Sequence, residues 1–222
     1  MTSITIDGPA GAGKTTVAKA LSEKLGYIYF NTGAIYRAVA FNYLKSPFNI
    51  ENTELLTKLL DNMNLTLKYE NGVQQVLLSG VNVTNGLFNP DIDSYSSSLS
   101  QHKLIRQYAV HLQREFASGQ NIVLEGRDTG SNVLPAAEFK FFLTASAEVR
   151  AKRRLKQYLI SGGENSKISF NHILEDIIKR DKQDSERLIS PLIVPQGATV
   201  IDSEHMTAEE VVEFMLGIIK GK

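Results

Sequence analysis

The stretch Ile4–Thr16, reading ITIDGPAGAGKTT, constrains the fold more than any other part of this 222-residue chain. Ile4, Thr5 and Ile6 are β-branched and stop at Asp7-Gly8-Pro9, so they read as a short strand. Gly8, Pro9, Ala10, Gly11, Ala12, Gly13, Lys14 and Thr15 then match G-x-x-x-x-G-K-[ST] in full, and a helical pattern opens with Thr16. Glycines let the backbone curl until several N–H groups point at one anion. The helix that follows adds unpaired N–H groups and the positive end of its dipole. Lys14 supplies a mobile charge for β- and γ-phosphates, and the Thr15 hydroxyl is placed to touch Mg²⁺. A turn that binds nothing would not need strand, loop, Lys-Thr and helix in this order. Nucleoside triphosphate binding is therefore expected.

Composition narrows the rest. Hydrophobic residues make up 42% and charged residues 22%, as in a globular protein with a packed core. Lys+Arg and Asp+Glu both number 24, so no bulk charge draws the chain to nucleic acid or membrane. Cysteine is absent, which excludes disulfides, thiol catalysis and Cys-ligated metal. The histidines at 102, 111, 172 and 205 lack metal-ligand spacing. No signal-peptide pattern precedes Ile4, and no apolar run is long enough for a bilayer, so a cytoplasmic enzyme is expected.

Helix and strand patterns then alternate. Val17, Ala18, Leu21 and Leu25 recur at helical spacing, with Gly26 placed to cap. Tyr27–Phe30 reads as a strand, Asn31-Thr32-Gly33 as a turn, and Ala34 to about Leu44 as a helix broken at Ser46-Pro47. Asn52 or Thr53 can cap a helix over Glu54–Leu60. From Leu65 the period becomes two: Leu65, Leu67 and Tyr69, a hairpin at Asn71-Gly72, then Val76 and Leu78, with a third strand at Val81–Val83. This antiparallel patch interrupts the strand-helix rhythm and reads as an insertion. A polar stretch runs through Ser94–Ser100, and a helix covers Leu104–Phe116. Ile122–Leu124 and Phe139–Leu143 read as buried parallel strands, the first opening onto Glu125-Gly126-Arg127-Asp128. A basic helix, Val149–Ile160, stops at Gly162-Gly163; Ser169 caps the next, and Val200–Asp202 is a last strand. Thr207 with Glu210 forms a capping box for the terminal helix. The fold class expected is α/β, a parallel sheet with helices on both faces and the polar clusters gathered at the strands' carboxyl ends.

Arginines recur where strands end: Arg37, Arg127, Arg150, Arg153, Arg154, Arg180 and Arg187. Guanidinium forks suit phosphoryl transfer, because charge spreads over the equatorial oxygens of the moving group. The basic run Arg150–Arg154 has two readings, a solvated helix face or a lid that closes over the triphosphate. No Ser-His-Asp order or paired acid stands out as a general base. A phosphate acceptor needs little activation, since its second pKa is about 6. A hydroxyl acceptor would want a carboxylate, and Asp128 could serve. A nucleotide kinase therefore stands ahead of a small-metabolite kinase. A nucleotide-dependent switch is a third reading, against which stand the absent Asn-Lys-x-Asp signature and the clustered arginines.

Several stretches together resemble the bacterial cytidylate kinases: Gly8–Lys14, Asn31-Thr32-Gly33-Ala34-Ile35-Tyr36-Arg37, and Glu125-Gly126-Arg127-Asp128 with Gly130. So do Thr144–Glu148 with Arg153-Arg154, and Arg180-Asp181 followed by Asp184, Arg187 and Pro191-Leu192. The resemblance implies a three-layer P-loop NTPase core over residues 1–36 and 101–222, with a lid at about 150–168. It also implies a nucleoside-monophosphate-binding insertion over 37–100, holding a small antiparallel sheet at about 64–84. The implied reaction is ATP with CMP or dCMP, giving ADP with CDP or dCDP. Mg²⁺ is expected as cofactor, and the chain is expected to act as a monomer. Lys14, Arg127, Arg153 and Arg154 would be catalytic. Gly8 through Thr16, with Arg153, would bind ATP. Thr32, Arg37, Ser97, Arg106, Arg127, Asp128, Arg180, Asp184 and Arg187 would bind CMP. Within that set Arg37 and Arg127 would hold the acceptor phosphate with help from Arg187. Ser97, Arg106 and Asp128 would read cytosine, and Arg180 and Asp184 would meet the ribose. The chain departs from the family pattern at Asn31, where Asp is usual, and at Thr129, Ser131, Asn132 and Leu134. Glu125 is open to two roles, a metal-water contact or a structural hydrogen bond.

Overall fold

The computed structural model describes residues 1–45, 50–160 and 169–221. They divide into two compact units, one of Met1 with residues 28–122 and the other of 2–27 with 123–222. The expected break at Ser46-Pro47, the Gly162-Gly163 stop and the outer part of the expected lid lie outside the described residues.

Strand β1 (Ser3–Asp7) is β-branched at three positions, and its Ile4 and Ile6 are wholly buried. It ends at Gly8, where φ is +148° and a Cβ would lie 2.0 Å from the Leu143 carbonyl oxygen. Only glycine lets the loop begin so close to the sheet. Helix α1 (Lys14–Leu25) starts behind Gly13, buries Val17, Ala18 and Leu21, and is closed by a left-handed Gly26.

In the first unit, β2 (Ile28–Asn31) leads into α2 (Gly33–Lys45), and Asn52 caps α3 (Thr53–Asn62) by accepting from the Leu55 N–H at 3.0 Å. Strands β3 (Leu65–Glu70) and β4 (Val73–Leu78) pair antiparallel about Asn71-Gly72, both residues at the positive φ that a two-residue hairpin turn requires. The third strand, β5 (Val81–Asn82), is shorter than its apolar run suggests. Helix α4 (Pro90–Leu99) occupies the stretch that reads only as polar. Asn89 caps it through the Asp91 N–H at 2.8 Å, and its buried face is Ile92, Ser96 and Leu99. With two apolar residues on that face, the helical period hardly registers in the sequence. Helix α5 (Lys103–Ala117) completes this unit, burying Ile105, Arg106, Ala109 and Gln113.

Strand β6 (Ile122–Glu125) is buried at all four positions, as a strand covered on both faces should be. A single π-type turn at Thr129–Val133 follows, then β7 (Phe139–Thr144), α6 (Ala147–Ile160) and α7 (Phe170–Glu186). The two helices pack together through Ala151, Ile173 and Ile177. Strand β8 (Thr199–Asp202) and α8 (Ala208–Lys220), with the complete Thr207–Glu210 capping box, end the chain.

The larger sheet has the order β2-β6-β1-β7-β8, and the separate antiparallel sheet runs β3-β4-β5. β1 pairs parallel with β7 in the register Ile4 to Phe139, and β7 pairs parallel with β8. The expected class, a parallel α/β sheet with a small antiparallel sheet apart from it, is the one found. Among the described residues, no helix is long and apolar enough to cross a membrane.

Candidate active site

The second unit holds the phosphate cradle. The curl between β1 and α1 rests on positive φ at Gly8, Gly11 and Gly13. Lys14 folds back along it, donating from Nζ to the Pro9 carbonyl at 2.7 Å. Burial, and then the nearby Arg127 charge, push its ammonium down to about 7, against the opposing pull of Glu125, Asp7 and Asp184. The Thr15 hydroxyl donates to Glu125 Oε1 at 2.6 Å, so the first turn of α1 and the end of β6 meet through two oxygens of the type that hard cations take. No cluster of three metal-binding side chains occurs among the described residues. Mg²⁺ does not need one, because it keeps several waters and binds substrate phosphates.

An arginine-carboxylate network flanks the cradle in the same unit. Arg127 Nε donates to Asp184 Oδ2 at 2.9 Å, and Arg187 Nη1 lies 3.6 Å from Asp184 Oδ1. Arg187 Nη2 also donates to Asp128 Oδ1 at 3.1 Å, while Asn132 Nδ2 reaches Asp128 Oδ2 at 3.2 Å. Burial works to raise the Asp184 pKa, but Arg127, Arg187 and Arg180 outweigh it and hold the carboxyl below its usual range. In the same unit, fully buried Asp7 accepts from the Thr129 N–H at 2.8 Å, the Thr129 hydroxyl at 2.7 Å and the Gly130 N–H at 2.7 Å. The end of β1 thereby anchors the turn that directly follows Arg127 and Asp128.

The basic helix α6 is not simply a solvated face. Arg150 is buried, and Arg153 donates to Ser203, at 3.0 Å to Oγ and 2.5 Å to the carbonyl, with the Ala12 carbonyl at 3.5 Å. Arg154 lies over the Tyr158 ring at 5.2 Å.

The first unit carries the remaining candidates. Arg37 Nε donates to Asp93 Oδ1 at 2.8 Å, with its guanidinium 5.6 Å from the Phe88 ring centroid. Arg106 donates to the Ser100 carbonyl at 3.0 Å and lies over Tyr36 at 5.6 Å. Thr32 is buried at the start of α2. Ser97 is half-buried on α4, its carbonyl accepting from Ser100 Oγ at 2.8 Å. Asn31 is bracketed by Gln74, which accepts from its N–H at 2.7 Å and donates to its carbonyl at 3.2 Å.

Three participants escape the sequence reading: Asp7 as an anchor, Arg150 paired with Asp181, and Asn132 beside Asp128. For Asp7 a faint signal exists, since an acid ending an apolar strand is buried only when donors await it.

A parallel sheet whose central strand opens into a lysine-bearing cradle, with arginines and carboxylates gathered beside it, defines a P-loop kinase. Within that class the chain belongs to the cytidylate kinase family, whose model matches residues 4–221. The cytidylate kinase of Thermosipho melanesiensis is 44% identical over 219 residues, covering 99% of this chain and 97% of that protein. That of Caldicellulosiruptor saccharolyticus is 42% identical over 213 residues, covering 96% and 93%. In fold alone, an uncharacterized protein from Eubacterium ventriosum superposes with a TM-score of 0.56 at 13% identity, covering 100% of both chains. TT1252 from Thermus thermophilus does so at 0.50 and 18% identity, covering 99% of this chain and 96% of its own.

Proposed function

We propose that this protein transfers the γ-phosphoryl group of ATP to CMP and dCMP, yielding ADP with CDP or dCDP. The observation that supports the reading is the closeness, within one unit, of Lys14 and the arginine-carboxylate network. Arg127, an arginine of the family-like Gly-Arg-Asp stretch, stands close enough to Lys14 to act on its charge.

Residues Gly8 through Thr16 hold the donor, with Lys14 on its β- and γ-phosphates and Arg153 and Arg154 attending from α6. Arg37 and Arg127 grip the acceptor phosphate, assisted by Arg187. The acceptor is already mostly dianionic at neutral pH, so positioning and charge neutralisation supply the catalysis. Mg²⁺, held through Thr15 and Glu125, would neutralise charge on the donor phosphates. Asp128 accepts from the cytosine N4 amino group, Arg106 donates to N3 and O2, and Ser97 takes part in reading the base. Uracil would turn O4 toward the carboxylate and leave polar groups unpaired, a mismatch that such sites reject strongly. Arg180 and Asp184 meet the ribose, and Thr32 lines the acceptor side. Residues 37–100 form the acceptor-binding insertion, 1–36 and 101–222 the core, and about 150–168 the lid. The protein works as a cytoplasmic monomer in pyrimidine nucleotide metabolism, with no nucleic-acid or membrane partner.

A coupled assay of ADP release with CMP, dCMP, UMP and AMP in parallel tests the reading. CMP and dCMP should stimulate turnover far above UMP and AMP. Faster turnover with another acceptor, or none with CMP, would refute it.

A further inference from the structure

A loop that turns its N–H groups toward a phosphate turns its carbonyls the other way, and those need donors of their own. At Ala10 a charged pair from two different helices meets both polar groups of one residue. Arg150, on α6, donates from Nη1 to the Ala10 carbonyl at 3.0 Å, and the same nitrogen is 2.6 Å from Asp181 Oδ2 on α7. The other carboxylate oxygen, Oδ1, faces the Ala10 N–H at 3.4 Å. Arg150 is itself aimed by an Nε bond to the Ala145 carbonyl at 2.9 Å, and only 6% of it is exposed. One residue on, a Cβ at Gly11 would meet Arg150 Cβ at 3.1 Å and the Arg150 carbonyl oxygen at 3.2 Å. The cradle therefore rests directly on the backbone of α6.

We propose that the Arg150–Asp181 pair is a positioning element for the phosphate cradle. It fixes the Ala10–Gly11 peptide for the donor's phosphates and ties that peptide to both α6 and α7. A cation on the Ala10 carbonyl also polarises its peptide and strengthens the Gly11 N–H, the next donor along the loop. Neither side chain reaches the reacting atoms; both act through the backbone. Donor affinity should therefore depend on the pair, and acceptor affinity should not. The inference rests on the loop as the donor site and not on which acceptor is used.

The test compares Arg150→Lys, Asp181→Asn and the double variant with the parent. Lysine keeps the charge but cannot reach the Ala145 and Ala10 carbonyls together; asparagine keeps the shape of Asp181 and removes its charge. The dissociation constant of ADP is measured by calorimetry without acceptor. KM for ATP and for CMP are measured separately, with the thermal midpoint of the protein alone. Each single variant should weaken ADP binding and raise KM for ATP about tenfold, the worth of a hydrogen bond to a charged group, with KM for CMP unchanged. The double variant should be no worse than the weaker single, because the two side chains act as one unit. Unaltered ADP affinity would overturn the proposal, as would ATP and CMP affinities falling together with the midpoint. If Arg150→Lys does not fold, Asp181→Asn decides by the same criteria, its side chain being 23% exposed. A parent protein that binds no ADP would refute the donor site itself.

Discussion

The Thr15 hydroxyl donates to Glu125 Oε1 across 2.6 Å, joining the start of α1 to the carboxyl end of β6. In the proposed reading the Thr15 hydroxyl would ligate Mg²⁺ and Glu125 would hold a water bound to it. Glu125→Gln keeps an acceptor for Thr15 and removes the charge. The Mg²⁺ concentration for half-maximal activity should rise about tenfold or more, the usual effect of an outer-shell change. A metal titration of initial rates checks this, and an unchanged midpoint would assign Glu125 a structural role alone.

Lys14 should make donor binding pH-dependent. Its ammonium is lowered from 10.5 to about 7 by burial and Arg127, so between those values the unfolded chain binds more protons than the native one. Stability contributed by this group therefore increases as pH rises through that window. A polyphosphate beside Lys14 restores its charge, so ADP binding at pH 8 should take up a proton and weaken as pH rises further. Calorimetry in two buffers of different ionisation enthalpy measures the uptake, which Lys14→Met should abolish. No uptake by the parent would mean that Lys14 stays charged throughout.

Lys14→Ala should lower kcat by about 10² or more, as losing a transition-state charge contact does, with CMP affinity mostly intact. Normal turnover would remove Lys14 from the mechanism.

Arg37→Ala should weaken CMP and lower kcat together, because the proposed contact is to the phosphate that reacts. An effect confined to KM for ATP would dissociate Arg37 from the acceptor.

Asp128 is held from both sides, by Arg187 on Oδ1 and Asn132 on Oδ2. Asp128→Asn should erode the preference for CMP over UMP, read as the ratio of kcat/KM values. An unaltered ratio would mean that another group reads the base.

Much of this was legible in the chain because it is encoded within a few residues. The turn glycines at Gly8, Gly11 and Gly13, the Asn71-Gly72 hairpin and the Thr207–Glu210 box each declare a local geometry through backbone freedom or a neighbouring side chain. Helix α4 was not legible, since a serine-rich stretch whose buried face holds Ser96 with Ile92 and Leu99 as its apolar residues gives almost no period. The π-type turn after Asp128 was equally hidden, because Thr129 and Gly130 adopt it by donating to a buried carboxylate 122 and 123 residues away.

By itself the sequence determined that a triphosphate cradle sits between a strand and a helix, and its motifs in order carried the family. The tertiary structure alone decided which groups complete that cradle. Arg150 and Asp181 reach Ala10 from 140 and 171 positions along the chain, and no local pattern encodes a contact that exists only once α6 and α7 have packed against the loop. Backbone geometry is written in neighbours, whereas the charge and hydrogen bonding around a buried group depend on whichever distant side chains the fold brings within about 3 Å.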